Sequence, residues 1–150
     1  PTKPSWQHVA FRSLFRIFLY PLLALSIALL GDQSLSSLAS VFRIVMVLAG
    51  FGLAFRITFF MGWKNAFGEP TGLRTDGWFR HSRNPVYVST WIGLLGWGLL
   101  IPEPFICILL SLWGALYLIA PIFEEPWLER EYGQAYSTYK AATPRFFAGF

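Results

Sequence analysis

The residues most suited to chemistry in this chain stand at the two ends of an apolar segment. Before it comes Arg80-His-Ser-Arg-Asn-Pro-Val-Tyr87, which combines three basic side chains, an amide, a proline and a phenol. After it comes the carboxylate pair Glu124-Glu125. Arginine binds carboxylates and glutamate binds ammonium groups through charge-assisted hydrogen bonds. If the two ends meet in space, they can therefore bind a zwitterionic head beside an apolar surface.

The composition indicates that much of the chain faces lipid. Hydrophobic residues make up 55% of its 150 residues and charged residues only 13%, which is too little charge to cover a soluble domain of this size. The net charge of +4 is modest and fits the bias of cations toward cytoplasmic loops. We therefore expect the lipid bilayer, and no nucleic acid, as a partner. The lone Cys107 excludes an internal disulfide, and the two histidines show no metal-binding spacing.

The apolar runs predict an all-α integral membrane protein with about four transmembrane helices. Residues 1–60 hold two anchor spans, and Arg16 is expected to extend from the first toward the headgroups. Residues 61–84 contain several glycines and a proline, which predict a cytoplasmic loop. Residues 85–123 predict a tight helical hairpin, because two closely spaced prolines, in the segment 102–104, force the chain to reverse.

The last segment, residues 124–150, has a different character from the spans. It is charged, and Leu128, Tyr132 and Tyr136 recur at helical spacing, which predicts a cytoplasmic amphipathic helix. Both glutamates and the proline after them suit the first turn of that helix. Pro144 is expected to end it.

Small residues predict where the two helices of the hairpin touch. Ser89 and Gly93 on the first helix have the four-residue spacing that permits close approach, as do Ser111 and Ala115 on the second. We therefore expect these two faces to pack against each other.

The distribution of cations predicts the topology. Eleven of the twelve Lys and Arg residues lie in the N-terminal segment, in residues 56–83 or in the tail, and only Arg43 lies near an opposite-side connection. With four spans, this bias places both termini and the 61–84 loop in the cytoplasm. The segment 83–87 and the pair 124–125 then leave the membrane at the same face and should be near neighbours.

Each of these residues also has a purely structural explanation. Arginines are common in cytoplasmic loops, tyrosines in the interfacial aromatic belt, and glutamates at helix starts. Arg56 suits either an interfacial position or an inward-facing functional one. His81 is expected to be solvated. The predicted meeting of two motifs at one hairpin favours a function for the pair.

The sequence from Thr75 to Tyr87, followed after the hairpin by Glu124-Glu125 and then by Pro144-Arg145, resembles the integral-membrane methyltransferases. These are the isoprenylcysteine carboxyl methyltransferase and phospholipid methyltransferase group. The likeness covers residues 72–147, and its signature is Arg-His-Pro-x-Tyr with Glu-Glu after a hairpin. Asn84 stands where the signature has His, and an amide cannot take up a proton at neutral pH.

The resemblance implies S-adenosylmethionine as the methyl donor, bound at the cytoplasmic end of the hairpin and released as S-adenosylhomocysteine. It implies a cofactor site made of both motifs and one tyrosine of the tail. Its members are Arg83, Asn84, Pro85, Tyr87, Glu124, Glu125 and Tyr132. Two residues receive catalytic positions: Arg145 near the reacting end, and Glu125 as the nearest base if the acceptor is an amine. No metal is implied.

A sulfonium cation is held well by aromatic faces, and the candidates for that contact are Trp78, Tyr87, Trp127 and Tyr132. Residues 1–150 are thus predicted to form a single membrane methyltransferase domain. Its expected acceptor is small and lipophilic, with a carboxylate or thiol of the isoprenylcysteine type. A phospholipid amine is the alternative acceptor. A non-catalytic membrane subunit and a reductase similar to the sterol reductases are the alternative functions.

Overall fold

The described part of the computed structural model comprises residues 6–31, 35–66 and 72–147. The helices in this part follow one another along the chain without any strand. They are α1 (Trp6–Leu30), α2 (Leu38–Met61), the short α3 (Trp63–Ala66), a 3₁₀ turn (Gly77–Arg80), α4 (Pro85–Leu100) and α5 (Pro104–Ala142). The all-α class predicted from the apolar runs is confirmed.

Within the described ranges, three helices are long and apolar enough to cross a membrane: α1 over Ser13–Leu30, α2, and α5. The fourth apolar helix, α4, has 16 residues. At 1.5 Å per residue it extends about 24 Å, which is less than the ~30 Å hydrocarbon core of a bilayer. The prediction of about four spans thus corresponds to three full-length helices and one shorter apolar helix.

Prolines and capping side chains set the starts of the helices. Ser37 caps α2 by accepting the Ser40 backbone N–H at 3.1 Å. The carboxylate of Glu103 accepts the Ile106 backbone N–H at 3.1 Å, and Pro104 in the first turn of α5 needs no hydrogen-bond acceptor. The predicted reversal between the two halves of the hairpin is therefore the connection from α4 to α5.

Helix α5 continues beyond the hairpin boundary predicted between residues 123 and 124. It runs to Ala142, with an irregular backbone only at Gly133, where φ is 52° and ψ is −128°. Glycine adopts this left-handed conformation without the steric cost of a side chain. Glu124 and Glu125 therefore lie on the wall of a continuous helix and not at the start of a new one, and Pro126 lies inside that helix. The apolar span and the residues beyond it form one rod as far as Gly133.

The closest glycine contact joins α4 to α2 and not to α5. A Cβ atom added at Gly50 of α2 would lie 2.2 Å from the backbone nitrogen of Gly93 and 2.9 Å from the carbonyl oxygen of Ser89. Ser111 and Ala115 of α5 are exposed. The expected packing of the small faces of α4 and α5 is therefore wrong. Because α2 and α5 are both apolar helices, the small-residue spacing on α4 does not identify which of them packs against it.

Helix α4 touches each of the three long helices. Its Trp97 indole donates to the Ser26 hydroxyl of α1 at 3.0 Å, and its Trp91 indole donates to the Gly114 carbonyl of α5 at 3.0 Å. A separate buried cluster joins the end of α2, the 3₁₀ turn and the last turns of α5. Its buried members are Ile57, Phe79, Tyr136 and Tyr139.

We expect Gly50→Ala to lower the free energy of unfolding by about 2 kcal/mol, because the added methyl group overpacks the α2–α4 contact. Thermal unfolding in detergent measures this. Gly52→Ala on the same helix is the control, because a Cβ atom there meets nothing within 4 Å. Equal unfolding temperatures for the two variants would contradict the close contact.

Candidate functional site

A cavity of about 950 Å³ lies between the loop before α4 and the middle of α5. All the residues predicted to bind the methyl donor line it: Arg83, Asn84, Pro85, Tyr87, Glu124, Glu125 and Tyr132. The two sequence motifs, which lie at opposite ends of the apolar hairpin, are thus brought to one place. Arg145 does not line this cavity and lies instead behind Arg83, beside a smaller apolar groove.

Glu125 is the centre of an ion-pair network. Glu125 is only 5% exposed. Its oxygens Oε1 and Oε2 accept hydrogen bonds from Nε and Nη2 of Arg145, each at 2.8 Å. Arg83 Nη2 lies 3.3 Å from Oε1, and Lys140 Nζ lies 3.4 Å from Oε2. Lys140 also pairs with the exposed Glu129 at 2.7 Å. Three cations therefore surround one buried carboxylate.

Arg145 is held in this network by its charge as well as by geometry. The hydrogen bonds to Glu125 raise the pKa of the Arg145 guanidinium above its ordinary value. The guanidinium therefore stays charged under all ordinary conditions, and the two-pronged pair with Glu125 persists with it.

Backbone and side-chain hydrogen bonds fasten the chain end to the loop before α4. The Arg83 backbone N–H donates to the Pro144 carbonyl at 2.9 Å. The Ser82 hydroxyl and the Asn84 side-chain amide both donate to the Arg145 carbonyl, at 3.2 and 3.1 Å. The amide nitrogen of Asn84, the residue at the His position of the signature, is thus used to hold the segment that carries Arg145.

Two residues of the cavity wall carry buried polar atoms without a hydrogen-bond partner. In the described residues these atoms are Nε and Nη1 of Arg83 and the hydroxyl of Tyr132, and both residues line the cavity. Leaving a buried donor unpaired costs about 1–3 kcal/mol. Such groups are typical of a site whose hydrogen-bond partner is a ligand. Their arrangement suits a molecule with hydrogen-bond acceptors, such as a carboxylate.

The opposite wall combines aromatic rings with a carboxylate. The Tyr87 hydroxyl donates to Glu124 Oε1 at 2.6 Å, and the rings of Tyr87 and Tyr117 lie 4.4 Å apart between centroids. Trp127 and Tyr132 also line the cavity, whereas Trp78 is exposed and does not. Aromatic faces beside an anion attract cations. This wall therefore suits a positively charged group.

Several cavity residues were not predicted from the sequence. Phe15 and Arg16 come from α1, Thr58 and Met61 from α2, and Tyr117 from the apolar part of α5. The sequence of α1 and α2 predicts only anchors, because an apolar side chain that faces a cavity cannot be told from one that faces lipid. Arg56, one candidate for an inward-facing arginine, is exposed and does not line the cavity.

The sequence model of the phospholipid methyltransferase family matches residues 23–135. The chain belongs to this family. The match confirms the resemblance to membrane methyltransferases and extends it, because the motifs alone covered residues 72–147 and left out α1 and α2. No curated protein and no solved structure matches the chain. Together with three helices of membrane-crossing length, the family indicates a membrane methyltransferase.

Metal ligands are not grouped at this site. Over the ranges that the structure describes, no three His, Cys, Asp or Glu side chains are close enough to hold a metal ion. His81 is exposed.

We expect Glu125→Gln to lower the free energy of unfolding by about 3 kcal/mol, because it leaves the buried Arg83 cation without its anion. Chemical denaturation in mild detergent measures this. Glu129→Gln is the control, since it removes a carboxylate of the same network that is 43% exposed and screened by water. A loss as large in the control as at Glu125 would contradict the central role of the buried carboxylate.

Proposed function

We propose that this protein transfers a methyl group from S-adenosylmethionine to a small lipophilic acceptor, in a membrane topology with both termini and the cavity at the cytoplasmic side. The observation that carries the proposal is the set of buried donors of Arg83 and Tyr132 without a partner among the described residues, because both residues line the cavity of a phospholipid methyltransferase family member. These donors require an acceptor-rich partner. The amino-acid end of S-adenosylmethionine carries a carboxylate that meets this requirement.

The chemistry of the cavity residues fits this donor. Arg83 and Tyr132 would hold its carboxylate, and Glu124 with the rings of Tyr87 and Trp127 would face its positive charges. When bound, the donor supplies a methyl group on a positively charged sulfur and leaves as S-adenosylhomocysteine. The cavity residues bind and orient the reactants and exclude water, which is most of what an in-line displacement needs.

We assign Glu125 and Arg145 the role of positioning Arg83 in the cavity wall. Both oxygens of Glu125 are occupied by Arg145, and Arg83 and Lys140 lie close as well. A carboxylate in this state is a poor proton acceptor, because protonation would separate it from its cations. The pair fixes the Arg83 guanidinium in the cavity wall and holds the chain end over the loop.

The acceptor that we favour is a carboxylate or thiol of the isoprenylcysteine type. A carboxylate neutralises the positive sulfur centre as it attacks and has no proton to lose, so a cavity with apolar walls assists it without a base. A thiol attacks in the same way as a thiolate, after its proton has passed to water. The alternative is a phospholipid amine, which must lose a proton. Glu124 favours that alternative, because it lines the cavity and its Oε1 accepts only the Tyr87 hydroxyl.

We expect Tyr132→Phe to weaken the binding of S-adenosylhomocysteine about fivefold, because one hydrogen bond to the ligand is lost. The stability of the ligand-free protein should not fall, since the deleted hydroxyl has no hydrogen-bond partner among the residues that the structure describes. Calorimetric titration and thermal unfolding measure the two quantities.

Tyr139→Phe is the matched control for that pair of measurements. Its hydroxyl donates to the buried Phe79 carbonyl at 2.7 Å. Its loss should lower the free energy of unfolding by about 2 kcal/mol. The assignment of Tyr132 would be contradicted if Tyr132→Phe destabilised the protein as much as Tyr139→Phe and left the affinity for S-adenosylhomocysteine unchanged.

Incubation with methyl-labelled S-adenosylmethionine tests the activity itself. The acceptors are a prenylcysteine, a prenyl thiol and an amine phospholipid, each presented in detergent micelles. We expect label in the prenylcysteine as a base-labile ester, or in the thiol as a stable thioether. Label in the amine would select the alternative acceptor. Absence of both transfer and S-adenosylhomocysteine binding would favour a non-catalytic subunit, and stabilisation by a nicotinamide nucleotide alone would favour a reductase.

A further inference from the structure

The cavity extends beyond the proposed donor residues to the first helix. Phe15 and Arg16 of α1 and Tyr117 of α5 form this end of its wall, and both α1 side chains remain exposed. Phe15 meets the Trp113 ring of α5 edge-on with centroids 5.9 Å apart, so α1 and α5 are in contact here. A volume of about 950 Å³ lies at the top of the ~300–1,000 Å³ range for small-molecule sites. The cavity therefore has room for part of a second molecule.

Arg16 brings to this end a positive charge that no carboxylate of the described residues pairs with. Within the described residues no carboxylate forms an ion pair with Arg16, whereas the carboxylate of Glu125 compensates both Arg83 and Arg145. Arg74, another cation of the cavity wall, stacks over the Phe60 ring at 5.6 Å from its centroid. Arg16 is thus placed to attract an anion from outside the protein.

We propose that the α1 end of the cavity is the acceptor site, and that Arg16 binds an acidic group of a lipid acceptor while Phe15 and Tyr117 contact its hydrocarbon chain. This inference rests on the proposed methyl transfer and narrows its substrate class to acidic-headed lipids. The acidic group is a carboxylate or a phosphate. In a prenylcysteine the bound carboxylate is itself the group that is methylated. In an amine phospholipid the phosphate is bound, and the amine extends toward Glu124.

The position of Arg16 agrees with both electrostatics and access. Glu124 lies on the wall of the same cavity, and its negative charge repels an acidic group, so such a group is expected to pair with a cation of the wall. Phe15 and Arg16 are both exposed on α1 and line the cavity, which is consistent with a lipid that reaches Arg16 from the bilayer beside α1. Arginine is suited to this contact because its planar guanidinium binds carboxylate and phosphate alike.

The experiment compares Arg16→Gln, Arg16→Lys and Arg56→Gln on three acceptors. These are N-acetyl-S-farnesylcysteine, lysophosphatidylethanolamine and the uncharged farnesyl thiol. We expect Arg16→Gln to raise the KM and the Kd for an acidic acceptor about tenfold, as for the loss of a charge-assisted hydrogen bond. Arg16→Lys should restore part of the affinity. Arg56→Gln, which removes an exposed arginine that does not line the cavity, should change neither constant.

If Arg16→Gln weakens binding of N-acetyl-S-farnesylcysteine, the anion bound by Arg16 is a carboxylate. If it weakens binding of lysophosphatidylethanolamine, the anion is a phosphate. An equal loss of affinity for farnesyl thiol, an equal effect of Arg56→Gln, or no effect of Arg16→Gln on either acidic acceptor would overturn the proposal. Each of these results would assign Arg16 to the headgroup layer or to the fold.

Acceptor binding is measured by tryptophan fluorescence at equilibrium, in the presence of S-adenosylhomocysteine and without turnover. This separates the two proposals. A wild-type protein that binds no S-adenosylhomocysteine refutes the proposed function. A wild-type protein that binds it, with acceptor affinities insensitive to Arg16→Gln, refutes only the acceptor site.

Discussion

The need to compensate one buried carboxylate shapes the end of this protein where the loop before α4 meets the tail. Glu125 lies on a continuous helix, and removing its charge from water costs several kcal/mol unless cations compensate it. The cations come from two distant parts of the chain: Arg83 before α4, and Lys140 with Arg145 at the chain end. The attraction of these groups draws the loop and the tail onto the same face of α5. Arg83 and Glu125 of this network also form part of the cavity wall.

The hydrophobic contacts provide the framework for that network. Helix α4 holds α2 through the Gly50–Gly93 approach and holds α1 and α5 through the Trp97 and Trp91 indoles. The start of α4 therefore keeps a defined position, and Arg83 lies two residues before its first residue, Pro85. Because α5 has no break before Gly133, the height of Glu125 relative to α4 is set by the same rod that carries the apolar span.

Part of this arrangement could be predicted from the sequence, and physical reasons explain the rest. Charged residues and prolines are rare in apolar helices, so Pro104 and the pair 124–125 marked the hairpin and led to the meeting of the two motifs. The packing of Gly93 against Gly50 was not predicted, since lipid and another helix are equally apolar neighbours. The role of Arg16 in the cavity wall was hidden for a similar reason, because any arginine at a span end suits the headgroup layer.

The two adjacent glutamates illustrate how one helix can serve two purposes. Successive residues of an α-helix point about 100° apart, so Glu124 and Glu125 cannot face the same partners. Glu124 turns to Tyr87 of α4, whereas Glu125 turns to the three cations of the loop and tail. A break in α5 at this point, as the sequence suggested, would leave the angle between the two side chains undefined. The continuous helix fixes it, and thereby separates the wall that suits a cation from the network that holds Arg83 for an anion.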